Sequence, residues 1–146
     1  MLDEYEEGAR LEIQRADHLL HVSLKYTRTG DVIRNTIQRL IAAIEYAASD
    51  IMHSAREHGR VKHIPSNPMM VVEMLPSVLK SERAILDYIS FYHLLKKIHR
   101  SPFKTQDEYH KNVALVVGDY KVTVDLLHLY YMKTKDFVRF AYNYVR

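Results

Sequence analysis

A chain of 146 residues is long enough for one domain with its own apolar core, and its 47% apolar and 27% charged residues are typical of a globular protein. The sequence contains no cysteine, which excludes disulfide bonds, thiolate zinc sites and cysteine nucleophiles. The net charge is only +3, but residues 93–146 contain ten basic and five acidic side chains. This basic C-terminal third could bind an anionic partner or could be an ordinary solvated surface.

Two long helices are predicted in the N-terminal half. The first covers residues 3–26, where apolar side chains form a line on one face: Ala9, Ile13, Ala16, Leu20. The second begins at residue 31 and carries the longest apolar stripe of the chain, in steps of three and four residues: Ile33, Ile37, Leu40, Ile41, Ile44, Ala47, Ile51, Ala55. Such a stripe keeps one face of a helix apolar for about seven turns, so this helix should be central to the core.

The residues between these helices predict how the helices are joined. Thr29 or Asp31 can cap the second helix, and Gly30 supplies the turn before it. Gly59 can adopt the left-handed conformation that ends a helix. Because so few residues separate the two helices, we expect them to form an antiparallel hairpin.

The middle of the chain predicts shorter elements. Two prolines exclude a helix interior in residues 60–68, and one short helix should then end near Leu75. Ser81 is the predicted cap of a longer helix that ends by Arg100, before a Ser-Pro pair. We expect residues 103–111 to be irregular or to form a single turn, because they are polar.

The C-terminal region predicts a β-hairpin followed by a helix. Two β-branched runs, residues 113–117 and 120–124, flank a Gly-Asp pair that is typical of a two-residue hairpin loop. The last helix should cover residues 125–144, with Asp125 as its cap. We therefore predict a single domain over residues 1–146 that is mainly all-α: an antiparallel helical bundle built on the long helix hairpin, with a small β-hairpin before the C-terminal helix.

The nine histidines include one candidate metal pair. His18 and His21 are three residues apart in a predicted helix, a spacing that can bind zinc or iron. A carboxylate-bridged di-iron bundle would also need Glu-x-x-His motifs, which do not occur in this chain. The alternative is that these are surface or interface histidines. We predict no metal ion and no cofactor.

A second candidate site depends on the spacing of Arg56 and His63, which resembles the Arg-x(4–6)-His motif of the HEPN superfamily. That resemblance implies a small helical bundle and a metal-independent RNase, with the arginine and the histidine at a dimer cleft. His63 would then act as general acid or base, and Arg56 would stabilise the negative charge on the phosphorane. The alternative is that both are loop residues, since the motif spans the predicted helix end at Gly59.

A wider resemblance covers the predicted N-terminal hairpin. The segments Tyr-Glu-Glu-Gly-Ala-Arg-Leu-Glu-Ile-Gln-Arg-Ala-Asp-His-Leu-Leu (residues 5–20) and Ser-Leu-Lys-Tyr-Thr-Arg-Thr (residues 23–29) resemble a small archaeal family of uncharacterised helical proteins. This resemblance implies no established activity and no site residues.

The C-terminal helix alternates aromatic and basic side chains. Lys133, Lys135 and Arg139 lie among tyrosines and phenylalanines, and such a surface could hold single-stranded RNA by stacking and by phosphate contacts. The alternative is that the tyrosine rings cover the core or a dimer interface while the basic side chains are solvated.

Together these patterns favour a non-enzymatic interaction or assembly module that forms a homo-oligomer. The alternative is an RNA-associated protein, such as a HEPN-like metal-independent RNase. The acidic N-terminus is unlike a signal peptide, and no apolar run approaches the ~20 residues that span a bilayer. We therefore expect a cytoplasmic protein without a membrane partner.

Overall fold

A computed structural model describes the backbone of residues 4–146 and the side chains of residues 8–146. This part of the chain is mainly helical and contains a small three-stranded antiparallel sheet. Its elements, in chain order, are α1 (Glu4–His18), α2 (Leu24–Tyr26), α3 (Gly30–Glu57), α4 (Pro68–Glu73), α5 (Ile85–Arg100), β1 (Lys104–Gln106), β2 (Ala114–Val117), β3 (Tyr120–Thr123) and α6 (Val124–Val145). The prediction of a mainly α chain with a β-hairpin is confirmed, whereas the predicted start of the first helix at Asp3 lies outside the described residues.

The first predicted helix is not a regular α-helix along its whole length. A π-helical segment, Leu19–Ser23, connects α1 directly to α2. A π turn holds more residues than an α turn, so it changes the angle between the side chains before and after it. Leu20 within the segment and Leu24 directly after it are both buried, whereas Val22 is exposed, so these two leucines keep the chain in contact with the core.

Helix α3 is the centre of the core and packs against α1, α4, α5 and α6. The stripe predicted from the sequence is buried along its length, including Ile33, Ile44 and Ile51. Each side chain of this size that leaves water contributes roughly 1.5–3 kcal/mol to folding. This burial explains why the longest apolar stripe of the sequence forms the helix that contacts most other elements.

The two ends of α3 confirm two predicted signals and correct a third. Thr29 is the N-cap, and its side chain accepts a hydrogen bond from the backbone N–H of Val32 at 3.3 Å. Gly59 has a φ of 72°, the left-handed conformation expected after a helix. Gly30, however, is the first residue of α3 and not part of a turn. Its lack of a side chain allows close approach of Thr105 on β1.

The middle of the chain differs from the prediction at one helix start. Helix α4 begins after Asn67, and a short 3₁₀ turn, Leu75–Ser77, follows it as expected for a helix that ends near Leu75. Helix α5 begins at Ile85 and not after Ser81, and no side chain caps it. Backbone turns take the place of a cap there. The backbone N–H of Glu82 donates to the carbonyl of Leu79, and the backbone N–H of Ile85 donates to the carbonyl of Glu82.

The sheet contains one strand more than the sequence predicts. β2 and β3 form the expected hairpin, with Val117 opposite Tyr120. β1 lies in the segment predicted to be irregular, and it pairs with β2 so that Thr105 is opposite Leu115. A second correction concerns α6, whose N-cap is Thr123 and not Asp125. The strand continues directly into the helix, so Thr123 is placed to accept from the backbone N–H of Leu126 at 3.1 Å.

Candidate binding surfaces along helix α6

One long groove separates α5 from α6 and β3. It consists of two adjoining clefts of about 390 and 660 Å³ that share Leu94 and Tyr120. We call this surface the α5–α6 groove, and its lining residues are Asp87, Ser90, Phe91, Leu94, Lys97, Ile98, Ser101, Pro102, Val117, Gly118, Asp119, Tyr120, Leu129, Tyr130 and Lys133. Its buried lining residues are aromatic or aliphatic, Phe91, Ile98 and Tyr130, whereas Asp87 and Asp119 are exposed.

Large apolar side chains are exposed on the two helices that border this groove. Leu129, which lines the groove, is 62% exposed, and Met132 is one turn further along α6 at 43%. On α5, Leu86 is 64% exposed and lies one turn before the groove residue Ser90. Single exposed apolar residues are common on protein surfaces, but a group of them beside an apolar cleft is typical of an interaction site.

Lys133 connects the two helices that form the groove. Its Nζ atom is 2.5 Å from the Asp87 carboxylate and lies over the rings of Phe91 at 5.2 Å and Tyr88 at 5.9 Å. The charge of Lys133 therefore has an intramolecular partner on α5. Burial raises the pKa of Tyr88 above its usual value, and the nearby carboxylate of Asp136 adds to this.

The floor of the groove is fixed by contacts between aromatic rings. The Tyr130 ring is 5.4 Å from Phe91, and the hydroxyls of Tyr120 and Tyr130 are hydrogen bonded to each other. Burial raises the pKa of Tyr130 far above its usual value, and the hydrogen bond to Tyr120 adds to this. These contacts tie β3 and α5 to α6, so the groove is formed before any partner binds.

A separate pocket of about 240 Å³ lies on the other side of α6, against α1 and α3. We call it the α1–α6 pocket, and its lining residues are Ala9, Arg10, Ile13, Asp50, Lys135, Val138, Arg139 and Tyr142. The structure thus brings together two of the three predicted RNA contacts, Lys135 and Arg139, but leaves out Lys133. Residues two apart on a helix do not share a face, so the spacing of Lys133 and Lys135 in the sequence is consistent with their lying on different sides of α6. Arg10, on α1, was missed by the sequence analysis.

His21 and His18 contact different parts of the molecule. The Nδ1 atom of His21 is 2.5 Å from the Asp17 carboxylate, and its ring meets those of His128 at 5.5 Å and Tyr131 at 5.8 Å on α6. His18 instead lines a cleft that it shares with Arg39 of α3. The π segment accounts for the difference, because a wider turn increases the angle between positions three residues apart. Among the residues that the structure describes, no group of three or more His, Asp or Glu side chains is arranged to hold a metal ion.

Arg56 and His63 are both exposed. The guanidinium of Arg56 is 3.3 Å from Nδ1 of His53, one turn earlier on α3. His63 lies beyond the end of α3 in the loop of residues 58–67. None of the contacts found in the described part of the chain joins Arg56 to His63, and their catalytic role stays a prediction.

Two further findings concern the chain as a whole. None of the helices in the described range has the length and hydropathy that crossing a lipid bilayer requires. The chain matches no protein-family model, no curated protein and no solved structure. The resemblances to the archaeal family and to the HEPN superfamily therefore stay predictions.

Proposed function

We propose that this chain is a non-enzymatic interaction module that assembles with further copies of itself through the α5–α6 groove. The observation that carries the proposal is a preformed, largely apolar groove that Leu129 lines while 62% exposed, between two helices that also expose Leu86 and Met132. Covering these side chains would remove apolar surface from water, which drives most protein association. The groove also follows α5 from Asp87 to Ser101, a distance of about 21 Å at 1.5 Å per residue.

A second copy is the partner that the charges of the groove favour. Its lining contains both signs: besides the internal Asp87–Lys133 pair, Asp119 is an acid and Lys97 is a base near the other end of the groove. A two-fold interface places a patch against the same patch of another copy, so a patch with both charges can pair them across the axis. A partner with one dominant charge would be attracted at some of these positions and repelled at others.

The arrangement of the helices is part of the same proposal. We infer an antiparallel bundle built on the α1–α3 hairpin, since only residues 27–29 separate α2 from α3 and since α1 packs against α3. In such a bundle α6 would close the core with one face and would leave its opposite face available for another copy.

Self-association is tested by size-exclusion chromatography with light scattering at tens of micromolar protein. We expect at least twice the monomer mass for the unchanged chain. Leu129→Glu should give the monomer, because it places a charge in the apolar contact. Met70→Glu is the matched control, since Met70 is 53% exposed on α4 and does not line the groove. Circular dichroism of both variants verifies that the fold is kept.

Two outcomes would contradict this proposal. A monomer mass for the unchanged chain at tens of micromolar would show that the module does not self-associate in this range. If Leu129→Glu and Met70→Glu both lose assembly to the same extent, or if both keep it, the α5–α6 groove is not the contact surface.

A further inference from the structure

The α1–α6 pocket has an apolar interior and a cationic mouth. Ala9 and Ile13 on α1 are buried at its base, and Val138 on α6 is half-buried beside them. Arg10 and Arg139, in contrast, are exposed. A molecule with an apolar body and a polar head could place its body in the apolar interior and its head at the charged mouth.

Charges around the pocket favour a negative head group. Three bases line it, Arg10, Lys135 and Arg139, against one buried acid, Asp50. The Asp136 carboxylate is 3.9 Å from Arg139, but both side chains are exposed, so water screens this pair strongly. Among the described side chains the pocket therefore keeps a cationic excess, and guanidinium groups are well suited to bind a carboxylate with two hydrogen bonds.

The size of the pocket limits the ligand further. A volume of about 240 Å³ is below the roughly 300–1,000 Å³ of pockets that enclose drug-sized ligands. The pocket therefore favours a ligand smaller than a mononucleotide. An apolar body of this size with an acidic head is a medium-chain carboxylic acid or a small aromatic acid.

We propose that the α1–α6 pocket binds a small organic monocarboxylate, with its apolar body against Ile13 and Val138 and its carboxylate at Arg10 and Arg139. Lys135 also lines the pocket, and its half-buried side chain places Nζ over the neighbouring Tyr131 ring at 5.8 Å, so it adds positive charge beside the pocket. This site is separate from the α5–α6 groove, because the two share no lining residue. The proposal does not depend on self-association.

The test uses isothermal titration of the full chain with octanoate and with octylamine, which has the same apolar body and the opposite charge. We expect octanoate to bind with one site per chain and octylamine to bind at least tenfold more weakly. Arg10→Gln and Arg139→Gln should each weaken octanoate binding at least tenfold. Arg100→Gln is the matched control, since Arg100 is exposed at the end of α5 and lines neither cavity, and it should bind octanoate as the unchanged chain does. Leu129→Glu should also bind it normally, which separates this site from the assembly surface.

Several results would overturn the proposal. Equal affinity for octanoate and octylamine would show that the cationic mouth does not select for a negative head group. This comparison is made on the unchanged chain, so it does not depend on how any variant folds. Unchanged octanoate binding by both arginine variants, with folds verified by circular dichroism, would place the ligand elsewhere. Binding of a single-stranded RNA oligonucleotide that depends on Arg10 and Arg139, without octanoate binding, would assign these side chains to phosphate contacts instead.

Discussion

Replacing Gly30 with alanine should destabilise the fold through one side chain on the sheet. An ideal Cβ at this position would overlap Oγ1 of Thr105, closer than real Cβ contacts allow, so the Thr105 side chain or the backbone of α3 or β1 would have to move. Crowding of this kind costs typically 1–3 kcal/mol. In an unstrained helix the same change would instead be favourable by roughly 0.4–1 kcal/mol. We therefore expect Gly30→Ala to lower the free energy of unfolding by about 1–2 kcal/mol.

A double-mutant cycle isolates the cause. Thr105→Ala removes Oγ1 and leaves the Thr105 Cβ as the nearest atom at 3.3 Å, which is tight but tolerable. The double variant should thus recover most of the stability that Gly30→Ala loses, with a coupling of about 1–3 kcal/mol in urea unfolding followed by circular dichroism. Gly59→Ala is a useful control, because its φ of 72° makes alanine strained although no atom lies within 4 Å. Its cost should be unchanged by Thr105→Ala. Additive effects of the changes at Gly30 and Thr105 would refute this reasoning.

Three further predictions test the core, the pH response and the HEPN-like motif. Ile44→Ala should cost about 2–5 kcal/mol in urea unfolding, because Ile44 is 2% exposed at the centre of the core. Burial lowers the pKa of His99 below 6.5, so the unfolded chain takes up more protons below that pH, and the free energy of unfolding should fall from pH 7 to pH 5. Thermal unfolding of His99→Gln should show a smaller fall, and an identical slope would contradict this. Arg56→Ala and His63→Ala should match the unchanged chain in thermal stability and in an assay of metal-independent RNA cleavage, and loss of a measured cleavage activity in both would reverse the choice between module and nuclease.

Features set by local sequence were predicted well. The stripe of α3 has a period that only a helix satisfies, and its burial follows from that period. Gly59 and the Gly-Asp loop were recognised because few other residues adopt the required backbone conformations. In these cases the information lies within a few neighbouring residues.

Features set by distant partners were missed. β1 consists of Lys104, Thr105 and Gln106, which show no apolar alternation, and it is a strand because β2 lies beside it. The π segment was missed because its residues follow the same apolar pattern as a regular helix. The α1–α6 pocket was likewise predicted only in part. Lys135 and Arg139 could be recognised because they lie on one helix, whereas Arg10 joins them only through the packing of α1 against α6.

The π segment Leu19–Ser23 also makes the register of the first helix adjustable. Such a segment accommodates one residue more than an α-helical turn would, so removing one residue could restore a regular helix without a break in the chain. The remaining residues, at about 100° each, would then cover nearly the same rotation as the π segment, so the parts of the helix before and after it would keep facing the same neighbours. Making the segment α-helical without removing a residue would instead turn the residues that follow it by up to about 100° relative to α1. The irregular turn thus lets the chain carry one extra residue while Leu20 and Leu24 both stay buried.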